Sequence, residues 1–69
     1  MKIDEKDKQF LIKNIEAAQA LIEADDVDGL LEEIDGFMTK KGYAPPNYDE
    51  LNATGREAER VYDRIYNNN

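Results

Sequence analysis

The chain has 69 residues and a formal net charge of −7, and it contains no cysteine, histidine, serine or tryptophan. Those absences exclude disulfides, thiolate metal sites, serine and cysteine nucleophiles and a histidine general base. The acid excess argues against nucleic acid and anionic membranes as partners, and no apolar run approaches the length of a membrane span.

A chain this short makes one domain and has no covalent staple. Regular helix packing, or a partner subunit, must supply its stability. The opening residues, MKIDEKDKQF, mix acids with lysines and lead into no apolar stretch, so no signal peptide is expected. A cytoplasmic location is the expectation that follows.

The first helix is expected from Asp4 to Ala24. On a helical wheel Ile3, Phe10, Ala17 and Leu21 fall in one row, and Leu11, Ile15, Ala18 and Ile22 fall in the next. Lys6, Gln9, Lys13, Glu16, Gln19 and Glu23 take the opposite side. Asp4, Glu5 and Asp7 occupy the first turn, where carboxylates suit the helix dipole.

The second helix is expected from Val27 to Lys41. Val27, Leu30, Leu31, Ile34, Phe37 and Met38 keep helical spacing throughout. Asp25 or Asp26 is the expected N-cap, and Gly42 the expected C-terminal stop. The link to the first helix is two or three residues, which predicts an antiparallel hairpin.

Pro45 and Pro46 then bar any helix. Asn47 and Glu50 suggest a short capped turn around Tyr48 and Leu51. The third helix is expected to start from Thr54 as N-cap, with Glu57 completing a capping box. Ala58, Val61, Tyr62 and Ile65 form its apolar stripe. The expected fold is all-α: a small three-helix bundle over residues 1–66, its first two helices a hairpin, with 67–69 a disordered polar tail.

Residues 24–35, ADDVDGLLEEID, resemble an EF-hand calcium loop when Gly29 is set at the sixth position. Asp26 and Asp28 then fall on ligand positions. Ala24, however, stands at the first ligand position and brings no oxygen. Asp35 stands where a bidentate Glu is needed. An ion-wrapping loop would also destroy the apolar stripe that begins at Val27. The expectation is a helix corner with capping Asp residues, and no metal or cofactor.

From Asn14 to Thr39 there is no basic residue, while Glu16, Glu23, Asp25, Asp26, Asp28, Glu32, Glu33 and Asp35 all fall in that span. Either these acids form a solvated face, or they present a patch to a basic protein. Glu32, Glu33 and Asp35 lie clear of the expected caps, and with Asp28 at the corner they are the candidate partner-binding residues. Residues 45–48, PPNY, resemble the Pro-Pro-x-Tyr ligand of WW domains, which implies docking of a polyproline segment on aromatics; the plainer expectation is a loop role. Arg56, Arg60 and Arg64 form a row at helical spacing and are expected to pair with acids of this chain. Tyr43, Tyr48, Tyr62 and Tyr66 gather late in the sequence, either closing the core or offering an interface.

The functional expectation is a non-enzymatic interaction module or regulator that binds a basic protein, not nucleic acid or membrane, as a monomer or weak homo-oligomer. The alternative is a structural helper that associates with itself through its tyrosine-rich C-terminal region.

Overall fold

The structure, a computed structural model, describes residues 1–41 and 52–69. Four helices follow in order: α1 (Glu5–Asn14), α2 (Ala18–Glu23), α3 (Val27–Lys41) and α4 (Ala53–Asn68). No strand occurs among the described residues. The expectations placed on Gly42, Tyr43, the PPNY stretch and the short turn at Asn47 to Leu51 lie outside the described residues.

The expected first helix is broken in two. Ile15 follows α1 with φ −127° and ψ 114°, an extended conformation. The Asn14 side chain donates to the Phe10 carbonyl at 2.8 Å, and so competes for a backbone acceptor of the helix. A β-branched residue such as Ile15 readily takes the extended conformation that follows. The bend still serves the core: Leu11, Ile15 and Ala18 are all buried, whereas Ala17, placed on the apolar face by the wheel, is exposed.

The α2–α3 corner rests on two acids with different duties. Asp25 has φ 57°, a left-handed residue just past α2. Its N–H donates to the Ile22 carbonyl at 3.1 Å, and the Asp26 N–H donates to the Leu21 carbonyl at 2.9 Å. This crossed pair is the Schellman helix stop, with Asp in the place usually taken by Gly. Asp26 then caps the next helix: its Oδ1 accepts from the Gly29 N–H at 3.0 Å. Of the two expected caps, Asp26 is the one used. α3 spans the residues expected of it.

The N-terminus of α4 differs from expectation. Asn52 is the cap, its side-chain oxygen accepting from the Gly55 N–H at 2.7 Å. Thr54 therefore lies inside the first turn and is exposed. Glu57 pairs with Arg60 at 3.2 Å and completes no capping box. The helix runs on to Asn68, where a tail was expected from 67. Asn69 donates to the carbonyls of Lys2 and Ile65, both at 2.9 Å, and accepts from the Lys2 N–H at 2.9 Å. Those bonds tie the two ends of the described chain together.

The core draws on every helix, most heavily on α3 and α4. Leu11, Ile15 and Ala18 meet Leu30, Leu31 and Ile34 of α3 and Ala58, Val61 and Ile65 of α4. Phe10, Leu21, Ile22, Val27, Phe37, Met38 and Tyr62 pack around them, half-buried. Each fully buried aliphatic contributes about 1.5–3 kcal/mol through removal of apolar surface from water.

Candidate functional site

α3 carries Asp28, Leu31, Glu32 and Asp35 on one face, because residues three and four apart along a helix are neighbours. Leu31 points into the core, and the three acids flanking it are exposed. α4 carries Tyr62 and Tyr66 one turn apart. Their rings stack with centroids 6.4 Å apart and planes 8° from parallel. Tyr62 packs on the core, while Tyr66 is 65% exposed.

These six residues line one groove of about 500 Å³ between α3 and α4. The hollow beside it is lined by Val27, Asp28, Leu31, Tyr66 and Asn69, so the N-terminal end of α3 lies beside the C-terminal end of α4. Among the described residues, no basic residue lines either hollow. The groove thus has carboxylates on one wall, aromatic rings on the other and a leucine between them.

Three of the four acids singled out from the sequence come together here. Glu33 does not. It lies around the helix, beside a separate hollow lined by Asn14, Ile15, Glu16, Gly36, Phe37 and Lys40. Tyr62 and Tyr66 join the acids only through the packing of α4 on α3, which their distance in sequence hides.

Asp28 and Glu32, four apart, repel each other, as do Glu32 and Asp35, three apart. Like charges at these spacings cost about 0.2–0.5 kcal/mol per pair. A cation entering the groove would relieve that repulsion. Aromatic faces add a second attraction for an ammonium or guanidinium group.

The charged group of highest structural consequence lies elsewhere. Asp7, assigned from the sequence to the helix dipole, is 3% exposed. Arg64 reaches it with two hydrogen bonds, Nη2 to Oδ1 at 2.6 Å and Nε to Oδ2 at 2.8 Å. The hydrogen bond to Asp7 raises the Arg64 pKa above the ordinary arginine value, against a smaller opposing effect of burial. The hollow beside this pair is lined by Met1, Lys2, Ile3, Asp4, Ile65 and Asn68. Its two deepest charges already neutralise each other, so it offers little to a charged ligand. The Met1 ammonium pairs with Asp25 across the chain.

Asp26, a ligand position in the calcium-loop alignment, accepts from the Gly29 N–H through Oδ1, and the helix begins at the next residue. No group of three or more Asp, Glu, His or Cys placed to hold a metal ion occurs among the described residues. No described helix is long and apolar enough to cross a membrane.

The chain matches no protein-family model, no curated protein and no solved structure. The functional reading therefore stands on the groove.

Proposed function

We propose that the protein is a non-enzymatic interaction module whose α3–α4 groove takes an arginine or lysine side chain of a basic partner protein inside the cell. One observation carries this reading: Asp28, Glu32 and Asp35 share a groove with the stacked Tyr62 and Tyr66, and no basic residue among those described lines it. The acids and the rings lie on two packed helices, so little conformational freedom is lost when a partner docks. A guanidinium can meet a carboxylate in a fork of hydrogen bonds while its plane stacks on a tyrosine ring.

The test uses a fluorescently labelled arginine-rich peptide, followed by anisotropy. Glu32→Lys with Asp35→Lys should abolish binding in a variant that keeps its helical signal. Glu23→Lys with Glu33→Lys makes the same change of charge outside the groove and should weaken binding only slightly. Equal losses from the two would reduce the effect to net charge and sink the reading.

The exposed ring of Tyr66 favours a second reading, self-association through the tyrosine end. Salt separates the two: charge-driven peptide binding weakens as salt rises, whereas apolar self-association does not.

A further inference from the structure

The break between α1 and α2 stands against the pattern of the residues around it. Phe10, Leu11, Ile15, Ala18, Leu21 and Ile22 keep the register of one unbroken helix. The break is short, residues 15 to 17. Neither side of it carries the usual stop and start chemistry. α1 ends on Ile15 in an extended conformation, not on a left-handed glycine, and α2 starts from Ala17 with no side-chain cap. The apolar register therefore favours a straight helix, and the bend is held by the Asn14 bond to the Phe10 carbonyl together with tertiary contacts.

Those contacts join the segment before the break to the rest of the fold. Leu11 enters the core. Asp7 receives the fork of hydrogen bonds from Arg64, and Lys2 exchanges two bonds with Asn69. None of them requires residues 1–14 to belong to the same chain as α4. If α1 and α2 fuse into one straight helix, the segment swings out, and its seat is vacated for the same segment of a second copy.

We infer that the protein forms a dimer by exchanging residues 1–14, with Ile15 to Ala17 as the hinge. Exchange of an identical element is a low-cost route to a dimer, because every contact within the closed chain is remade between chains. The straightened hinge adds helical hydrogen bonds that the bent form forgoes, and this gain offsets part of the entropy lost on association. The partner is a second copy of this chain, and the seat is the one α1 occupies within the monomer.

The Asp7–Arg64 pair supplies the test. Asp7→Arg and Arg64→Asp are made in separate full-length chains. Each variant alone sets like charges against each other, whether closed or exchanged. In an equimolar mixture, refolded together, only the exchanged mixed dimer satisfies both sites: the introduced arginine meets the introduced aspartate at one seat, and Asp7 meets Arg64 at the other. Native mass spectrometry should show the one-to-one mixed dimer as the dominant dimer. A mixture holding only monomers would overturn the inference.

Two hinge variants keep the test decisive should either charge variant fail to fold. Asn14→Ala removes the side-chain bond to the Phe10 carbonyl that accompanies the break, and so favours the straight helix at both hinges of the dimer. It should tighten dimerisation several-fold by analytical ultracentrifugation. Glu16→Gly, at an exposed position, should loosen it by a comparable factor. Dimerisation unmoved by both, or no dimer at any concentration, would overturn the inference.

Discussion

Arg64 on α4 grips the buried carboxylate of Asp7 on α1 with two hydrogen bonds of 2.6 and 2.8 Å. The partners differ in exposure: the Asp7 side chain is 4% exposed and the Arg64 side chain 41%. Losing one is therefore unlike losing the other. Arg64→Ala leaves a buried carboxylate without its cation, at a cost of about 3 kcal/mol or more. Asp7→Ala leaves a guanidinium that can turn to water, and the cost falls to about 1–2 kcal/mol. Arg64→Lys loses the planar fork and should fall between them. Urea melts followed by circular dichroism would rank the three. The raised Arg64 pKa adds stability that is present below the ordinary arginine value and lost only as pH rises past it. Stability should show no titration from Arg64 between neutral pH and moderately alkaline pH.

Gly29 and Gly36 both interrupt the helix propensity of α3, yet their surroundings differ. A Cβ on Gly29 would come 2.5 Å from Asp26 Oδ2 and 3.1 Å from Leu21 Cδ2. It would displace the carboxylate that caps the helix. A Cβ on Gly36 meets nothing within 4 Å. Gly36→Ala should stabilise by about 0.5–1 kcal/mol, and Gly29→Ala should destabilise despite the better helix former. Thermal melts of the two variants should move in opposite directions.

Asp25 sits at φ 57° where helix stops favour glycine. Asp25→Gly should stabilise by about 0.5–1 kcal/mol. For a domain of this size that is a rise in Tm of about 2–8 °C. The lost pair with the Met1 ammonium is exposed on the Asp25 side and subtracts little. Asp25→Val places a β-branched residue in the left-handed region and should lower Tm.

The start of α4 can be checked by two substitutions. Asn52→Ala removes the side-chain acceptor of the Gly55 N–H and should cost about 1 kcal/mol. Thr54→Ala, within the exposed first turn, should be close to neutral. The reverse order in denaturant melts would return the cap to Thr54.

What the sequence made legible follows the range of the interactions. The span of α3 was readable, because its stripe from Val27 to Met38 lies within one stretch of chain, while the sequence left its cap open between Asp25 and Asp26. The α4 stripe was readable too, but its start was not: Thr54 and Glu57 fit a capping box, while Asn52 offered an equally good acceptor two residues earlier. The break at Ile15 was hidden because the apolar register runs through it unbroken. The only local sign was Asn14 ahead of a β-branched residue. The Asp7–Arg64 pair joins residues 57 apart, and a carboxylate in a first helical turn already had a sufficient local explanation. Half of the groove was visible as the acids of α3. The rings of Tyr62 and Tyr66 opposite them depend on how α4 packs, which no spacing within α3 encodes.

The central claim is that the α3–α4 groove, and not acidity in general, receives a basic side chain. Titration of a short arginine-containing peptide, followed by backbone amide NMR, tests it most directly. Saturable shifts should gather at Asp28, Leu31, Glu32, Asp35, Tyr62 and Tyr66, and weaken as salt is added. Shifts spread evenly over Glu16, Glu23, Glu33 and the groove acids alike would contradict it.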